Sequence, residues 1–252
     1  LGNGIDPLDI IDEYGADAIR FTLVTGNTPG NDMRFYIKRV ESSRNFANKL
    51  WNATRFIMMN LSDDISDSNF LIDELQDQDK WIISKLEKTI KSITEKIDKY
   101  EIGLAAADIY DFIWSDFCDW YIEMVKPVLY SEGQKTNTQK VLLFVLENIL
   151  KLLHPFMPFI TEEIWQRMGY EGYVHEASWP EYDESKTILD VIELPIQVNG
   201  KLRTTVEIGR EASEDEVFEK AIADDVVAKY LENKNVVKKI YVKGRIFNII
   251  VK

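Results

Sequence analysis

Arginine and asparagine side chains recur along one side of the segment 37–61. The apolar residues of this segment are spaced by three and four positions, which predicts a long amphipathic helix. The other side of that helix carries Glu41, Arg44, Asn45, Asn48, Asn52 and Arg55. Guanidinium groups hold phosphate and stack on bases, while amides bond to base edges. The pattern is therefore compatible with RNA binding, although an ordinary solvated helix face has the same composition.

The side chains that usually perform nucleophilic, acid–base or metal chemistry are few. Cys118 is the single cysteine, and His154 and His175 are the two histidines. One cysteine excludes an intrachain disulfide and a multi-cysteine zinc cluster. No thiol or serine constellation surrounds His154 in the sequence, so we interpret it as a packed histidine at a helix end. We expect no catalytic residue and no metal site in this chain.

Charge is distributed unevenly. The formal net charge of −13 argues against a protein that coats nucleic acid indiscriminately, because phosphate binding needs local cationic surface. Residues 31–60 carry six cationic and two acidic side chains, and residues 236–252 carry five cationic and no acidic ones. Residues 61–80 carry seven acidic side chains and one lysine. We expect RNA contacts at the two basic segments and a solvated loop, turned away from phosphate, at 61–80.

A second acidic series, Asp111, Asp116 and Asp119, has a spacing that could suggest a cation site. We interpret these residues as surface or structurally paired carboxylates. The 252 residues, 45% of them hydrophobic, suffice for one large core or two smaller ones. No stretch approaches about twenty consecutive apolar residues, and the N-terminal residues lack a signal-peptide pattern. We expect a cytoplasmic protein that makes no contact with a membrane.

The elements that would position these residues are mainly helical. Asp6 and Pro7 can start a short helix that Gly15 ends, and a second helix should follow from Ala16 to Val24. Pro158 can begin a helix after the break at HPFMP. Between these ends lie four long helical patterns, at 37–61, from a cap at Asp77 to about Tyr100, at about 103–130 and at about 138–154. Four such helices predict an antiparallel bundle.

The periodicity changes near the C-terminus. Residues alternate between apolar and polar on both sides of Asn199–Gly200, which predicts a β-hairpin with a type I′ turn. Ser213 and Glu216 form a capping box for a helix to about Ala223, and a short helix can follow at 226–231. A second hairpin is predicted around Lys243–Gly244–Arg245. Together these elements form a small α+β domain.

Four motifs stand in a characteristic order: GADAIRF at 15–21, GNTPGNDMRF at 26–35, RNFANKLWNATRF at 44–56 and HPFMPFITEEIW at 154–165. They resemble class I aminoacyl-tRNA synthetases, and residues 1 to about 165 are most similar to valyl-tRNA synthetases. VHEASWPEYDES, QVNGKLR and VVKKIYVKGRIFNIIV, within about 170–252, resemble the C-terminal end of bacterial leucyl-tRNA synthetases. This change of resemblance predicts a composite chain with a crossover around residues 158–175.

The resemblance implies four parts. Residues 1–35 would form the helical hairpin and connecting loop that follow the KMSKS loop of the catalytic domain. Residues 36–170 would form the anticodon-binding helical bundle, 171–190 a linker, and 191–252 an α+β domain that binds the outer corner of tRNA. The HIGH-type and KMSKS signatures do not occur in the sequence. The resemblance therefore implies that this chain binds no cofactor and that ATP is used in a catalytic domain outside it.

The resemblance also implies particular contacts with tRNA. Phe56 matches an aromatic residue that stacks on anticodon bases in valyl enzymes, although a core role for it is the alternative. The residues expected around it are Arg34, Lys38, Arg39, Asn45, Asn48, Asn52 and Arg55. The candidate phosphate contacts of the C-terminal domain are Lys201, Arg203, Lys238, Lys239, Lys243 and Arg245. Lysines on hairpins also discourage edge-to-edge association of sheets, which is the alternative explanation for this second set.

We therefore expect a monomeric tRNA-binding portion of a class I synthetase whose parent enzyme attaches an amino acid to tRNA using ATP. Valine is the expected amino acid, and a leucyl-tRNA synthetase fragment or composite is the first alternative. The second alternative is a non-catalytic regulatory or scaffold protein that reuses the fold, with the acidic 61–80 segment as its binding surface.

Overall fold

A computed structural model gives two compact units, Leu1–Lys186 and Thr187–Lys252, each described here by itself. The described residues are 4–25, 34–62, 65, 67–131, 133, 135–187, 191–209, 212–232, 234, 236–242 and 245–252. Within these residues, the structure has no helix that is both long and apolar enough to cross a membrane.

The first unit is a helical bundle with a small helical hairpin at its N-terminal side. Its α-helices are α1 (Pro7–Tyr14), α2 (Ala16–Val24), α3 (Ile37–Asn60), α4 (Asp77–Asp98), α5 (Ile102–Asp111), α6 (Ile122–Leu129), α7 (Thr136–Leu153) and α8 (Pro158–Met168). Short 3₁₀ turns occur at Ile72–Glu74, Val174–Glu176 and Glu184–Thr187. The predicted bundle and its helix order are confirmed.

The core of the first unit lies between α3, α4, α7 and the long helix that begins with α5. Helix α7 is apolar almost all round, and Val141, Leu146 and Ile149 are fully buried in it. Burial of such aliphatic side chains contributes about 1.5–3 kcal/mol each, so α7 contributes strongly to the stability of the bundle. Its burial matches the prediction from the sequence.

The N-terminal hairpin forms as its sequence predicts. The Asp6 carboxylate accepts a hydrogen bond from the Leu8 N–H at 2.9 Å, and Pro7 occupies the first helical position. Gly15 joins the two helices with φ of 89°, a backbone conformation that glycine adopts without steric cost. A small apolar cluster that includes Ile10, Ile19 and Val40 packs the hairpin against α3.

Two details of the bundle differ from the prediction. The third long helix is not uniformly α-helical, because a π-helical segment at Phe112–Tyr121 separates α5 from α6. Helix α4 is capped by Gln76 rather than Asp77, and Asp79 completes the capping box by accepting from the Gln76 N–H. A π-segment requires only one extra residue per turn, and the apolar spacing of the sequence does not reveal it.

Residues 171–186 belong to the first unit instead of forming a linker. Val174 is buried in the bundle core. The Trp179 indole N–H donates to Thr94 Oγ1 at 2.9 Å, and the Asp183 N–H donates to the Glu87 carboxylate at 2.8 Å. These contacts tie the segment to α4, and the boundary between the units falls between Lys186 and Thr187.

The second unit is a four-stranded sheet with two helices, which confirms the predicted α+β module. Its elements are β1 (Val191–Val198), β2 (Lys201–Gly209), α9 (Glu214–Ala223), α10 (Asp225–Leu231), β3 (Val236–Val242) and β4 (Ile246–Val251). The strand order is β2-β1-β4-β3, with β1 and β4 parallel. Asn199 and Gly200 have φ of 50° and 76°, as the predicted type I′ turn requires.

Candidate nucleic-acid interface

The exposed face of α3 carries most of the side chains expected to contact the anticodon arm. A helix turns about 100° per residue, which places Lys38, Asn45, Asn48, Asn52, Arg55 and Phe56 within an arc of about 100°. The first five of these residues are exposed, and Phe56 is half-buried. Arg34, also exposed, precedes the helix. The structure therefore presents two cations, three amides and one aromatic ring on a single stripe, which we call the α3 face.

Arg39 lies outside the α3 face. It is half-buried, and its guanidinium donates to the Thr25 carbonyl at the end of α2 at 3.1 Å. Lys38 is thus the member of the Lys38–Arg39 pair that lies on the α3 face. Arg39 instead joins the N-terminal hairpin to α3.

The sequence leaves two roles open for Phe56, a core residue or a platform on which a base stacks, and its contacts bear on both. Its ring packs against the bundle core, yet the side chain is only partly buried. The Lys126 ammonium of α6 lies 5.7 Å from the ring centroid. Because this ammonium lies over the ring, a base that stacks on the same face must displace the lysine side chain, whose charge can then attract a phosphate. Its role as a base platform stays a prediction.

Lys49 does not contribute to the basic surface expected from the composition of residues 31–60, because its ammonium is engaged by other side chains. Its ammonium lies 2.5 Å from the Asp119 carboxylate and 3.8 Å from the centre of the Trp114 ring. Asp116 likewise pairs with Lys85 at 3.4 Å. Two members of the acidic series in the π-segment are therefore structurally paired, as we interpreted them from the sequence.

A cleft beside the α3 face was not anticipated. It has a volume of about 400 Å³ and brings Arg167 of α8 next to Arg55, with the Arg167 guanidinium 5.0 Å from the centre of the Trp51 ring. Its lining residues are Trp51, Thr54, Arg55, Met58, Met59 and Arg167. The signal in the sequence was Met59, a large apolar residue on the same side of the helix as Asn52 and Arg55.

The acidic segment 61–80 is only partly the solvated loop that the sequence suggested. Asp73 and Asp77 are exposed, but Asp79 is fully buried. Asp79 accepts hydrogen bonds from the Tyr121 hydroxyl at 2.7 Å and the Thr138 hydroxyl at 2.9 Å. Burial raises the pKa of this carboxyl, and the hydrogen bonds oppose the rise. Asp79 is thus a structural residue, and the expectation for it is wrong.

The cations of the second unit do not form one cluster. Lys201 and Arg203 lie on β2, whereas Lys238 and Lys239 lie on β3, the opposite edge of the sheet. Three strand spacings separate these edges, about 14 Å. Lys201, Lys238 and Arg245 are exposed. Lys243 lies outside the described residues.

Two of these cations also have partners within the unit. The Lys239 ammonium lies 3.3 Å from the Asp215 carboxylate and 3.7 Å from the centre of the Phe218 ring. The Arg203 guanidinium lies 3.8 Å from the centre of the Tyr230 ring. Lys239 and Arg203 therefore face the helices of the unit, which leaves Lys238 and Lys201 as the better placed phosphate contacts.

Cys118 is buried, and His154 is half-buried at a helix end. Burial raises the pKa of the Cys118 thiol to about 12, so the thiol stays protonated and unreactive at neutral pH. His154 follows α7, and its Nδ1 lies 2.8 Å from Thr161 Oγ1. Burial lowers the pKa of the imidazole, against the opposing effect of Glu162. His154 is thus a half-buried residue at the end of α7.

Two of the sequence motifs that are far apart in the chain meet in the structure. Asp17 of GADAIRF accepts hydrogen bonds from the backbone N–H groups of Phe159, at 3.2 Å, and Ile160, at 2.7 Å. The Arg20 guanidinium donates to the Pro155 carbonyl at 3.2 Å. The carboxylate thereby caps the first turn of α8, where an anion is favoured by the exposed N–H groups.

Comparison with known proteins agrees with this architecture. The family described as the anticodon-binding domain of tRNA ligase matches residues 79–218. A valine–tRNA ligase of Clostridium tetani is 54% identical over 187 residues, which cover 73% of this chain and 21% of the relative. A valine–tRNA ligase of Bacillus licheniformis is 42% identical over 247 residues, which cover 95% of this chain and 28% of the relative. The matches thus span 21–28% of the length of these relatives.

A solved complex of Agrobacterium radiobacter K84 agnB2 leucyl-tRNA synthetase with tRNA and LeuAMS has a similar fold. Its TM-score is 0.66 at 26% sequence identity, and the match covers 100% of this chain and 30% of that chain. The valyl match that covers 95% of the chain necessarily includes most of the second unit. The valyl matches of 51–54% identity cover 71–73% of the chain, so the predicted change of resemblance around residues 158–175 stays a prediction. From the matched family and the valyl relatives, the chain belongs to the family of anticodon-binding domains of class I tRNA ligases.

Proposed function

We propose that this chain binds the anticodon arm of a tRNA through the α3 face and contributes tRNA recognition to a valine–tRNA ligase. The α3 face carries the proposal, because it aligns guanidinium, ammonium, amide and aromatic groups on one exposed stripe. The names of the relatives support valine as the amino acid, with joining to tRNA performed by residues of the parent enzyme outside this chain. We further propose that the protein is cytoplasmic and monomeric.

The chemistry of the α3 face suits an unpaired loop of RNA. Lys38 and Arg55, near the two ends of the helix, would hold phosphates, while the amides of Asn45, Asn48 and Asn52 would bond to base edges. Single-stranded bases can be splayed out and stacked on aromatic rings, which is the role proposed for Phe56. The cleft of Trp51, Arg55 and Arg167 lies beside this stripe and offers room for one further base.

Replacing Phe56 tests the proposal. Phe56→Ala should weaken binding of a valine-specific tRNA transcript by about tenfold or more, because base stacking on an aromatic contributes about 1–3 kcal/mol. Phe56→Leu keeps an apolar side chain against the core but removes the ring, so it should lose about as much affinity as alanine. Fluorescence anisotropy gives the dissociation constant, and thermal unfolding of the same samples gives the stability.

Phe70→Leu is the matched control, because Phe70 is also half-buried and packs edge-to-face against Phe144 at 5.2 Å, away from α3. It should leave tRNA affinity unchanged. If Phe56→Leu restores the affinity that alanine loses, or if affinity falls only in step with stability, Phe56 is a core residue. Equal binding of a leucine-specific transcript would contradict the valine assignment without removing tRNA binding.

A further inference from the structure

The two histidines of the chain lie together with a glutamate at the corner between α7, α8 and the turn Val174–Glu176. His154 directly follows α7, Glu162 lies in α8, and His175 lies in the turn. One ligand-type atom from each residue lies within 4.8 Å of those of the other two. The two imidazole rings are nearly parallel, at an interplanar angle of 20°. This cluster lies outside the α3 face and has no part in the proposed binding of tRNA.

The hydrogen bonds of Thr161 determine which nitrogen of His154 carries the proton. The Thr161 hydroxyl donates to the Met157 carbonyl at 2.8 Å, and Thr161 is fully buried. A hydroxyl has a single hydrogen, so in its contact with His154 Nδ1 the Thr161 oxygen must accept. With the hydroxyl donating to Met157, Nδ1 carries the proton and Nε2 keeps its lone pair for a ligand. Metal-binding histidines are commonly held in this way by a hydrogen bond to the other ring nitrogen.

Glu162 is held as firmly and also positions the third residue. Its Oε1 accepts from the Gln166 side-chain amide at 2.8 Å, and its Oε2 accepts from the Val174 N–H at 3.1 Å. Each carboxylate oxygen has two lone pairs, so each retains one for a ligand. The bond to Val174 fixes the start of the turn that carries His175, so the exposed imidazole stays close to the other two groups.

We propose that His154, Glu162 and His175 bind a divalent transition-metal ion, best matched by Zn²⁺. Two imidazoles and one carboxylate are a ligand set that zinc accepts in tetrahedral geometry, with one position left for water. Ligand atoms of a tetrahedral zinc ion are about 3.4 Å apart, given Zn–N bonds of about 2.0–2.1 Å. The corresponding atoms of the cluster lie within 4.8 Å of one another, so zinc binding would draw them closer together, and His175 is the exposed member of the three.

The bound ion would join α7, α8 and the turn that follows them. Residues 171–186 would then be fastened to the bundle by a metal as well as by the Trp179 and Asp183 contacts. We assign the site a structural role and no reaction. It replaces the expectation from the sequence that the chain holds no metal, which rested on the small number of histidines and cysteines.

Titration of the whole chain, freed of metal by chelation, tests the site. Calorimetry with ZnCl₂ should show one ion bound per chain, whereas MgCl₂ should show none because imidazole is a poor ligand for Mg²⁺. Nuclear magnetic resonance of the imidazole rings gives a second readout, since the chain has two histidines and both belong to the cluster. Both ring signals should shift in proportion to zinc up to one equivalent.

His175→Ala and Glu162→Gln should each weaken zinc binding by roughly tenfold or more. Glu163→Gln is the control, because Glu163 is the next residue of α8 and pairs with Arg167 at the surface. His175 is exposed, so its removal should leave the far-ultraviolet circular dichroism spectrum unchanged, which separates loss of metal from loss of fold. The proposal is overturned if zinc does not bind at micromolar concentration, if only one ring responds, or if binding survives both variants.

Discussion

Asp79 joins three helices of the bundle through one carboxylate. It lies in the first turn of α4 and accepts hydrogen bonds from Tyr121 of the π-segment and Thr138 of α7. The residue is fully buried, and burial raises the pKa of its carboxyl. No cation contributes to this shift. The ionised carboxylate is therefore less favourable in the folded protein than in the unfolded chain, despite its good hydrogen bonds.

Stability should consequently depend on pH at this residue. A pKa raised by folding means that the contribution of Asp79 is full below its unfolded pKa, about 3.9, and is lost as pH rises through the folded value. The free energy of unfolding of the protein, relative to that of the Asp79→Asn variant, should therefore decrease as pH rises from about pH 4 through the raised pKa of the folded state. Urea unfolding at a series of pH values measures this difference.

Asp73→Asn supplies the comparison for the pH series, because Asp73 is exposed in the same acidic segment. Its difference from the unmodified protein should stay nearly constant with pH. A difference for Asp79→Asn that is flat, or that grows with pH, would show that the hydrogen bonds of Asp79 outweigh its burial.

Helix α8 illustrates how an element depends on a residue from elsewhere in the chain. Pro158 begins the helix because its missing N–H would have no partner there. The next two N–H groups, of Phe159 and Ile160, are bonded to Asp17 of α2. The Asp17 carboxylate is buried, so its removal leaves two partly buried N–H groups without this acceptor, which is costly.

Removal of this cap should destabilise the first unit. Asp17→Ala should lower the free energy of unfolding by about 1–2 kcal/mol, the upper part of the range for helix caps. Asp12→Ala, at an exposed position in α1, should change it by less than about 0.5 kcal/mol. Chemical denaturation followed by circular dichroism measures both. Equal effects of the two substitutions would mean that Asp17 contributes no more than an ordinary surface carboxylate.

The helices and strands themselves were largely predictable, because they follow from local patterns. The period of apolar residues gave α3 and α7 to within about two residues, and Asn199–Gly200 gave the first hairpin. The sequence did not reveal that the Asn199 side chain also bonds to the Val251 backbone, with its amide donating at 3.2 Å and its oxygen accepting at 2.9 Å. That role depends on β4 lying parallel to β1, which no local pattern specifies.

The candidate site was predictable in part for the same reason. The α3 face lies on one helix, so the spacing of Lys38, Asn45 and Arg55 was sufficient to place them together. The cleft next to it, the pairing of Lys49 with Asp119, and the gathering of His154 and His175 all join separate elements. Their formation depends on how the helices pack, and a single sequence carries no direct record of that packing.

The whole molecule is acidic, with a net charge of −13, so each cationic group exposed near the RNA should have a visible effect on binding. Neutralised phosphates release counterions, and each contact steepens the dependence of log K on log salt by about 0.7–0.9. The second unit offers adjacent lysines in different settings. Lys238 is exposed, whereas Lys239 is half-buried and lies 3.3 Å from Asp215.

This contrast gives a prediction for the salt dependence of tRNA binding. Lys238→Ala should reduce the slope of log K against log salt by about 0.7–0.9, and Lys239→Ala should reduce it by clearly less. Anisotropy titrations at several salt concentrations give the slopes. If neither slope changes, the β3 edge is not part of the RNA interface, and its lysines act against edge-to-edge association instead.

The contact between Asp17 and the start of α8 makes a mechanical connection within the first unit. Helix α8 has 11 residues and is about 16 Å long. Its first turn is held by the N-terminal hairpin, and Arg167 in its last turn lies over Trp51 of α3 in the cleft next to Arg55. Through these contacts α8 connects the N-terminal hairpin to the α3 cleft, so a displacement of the hairpin would also change the first turn of α8.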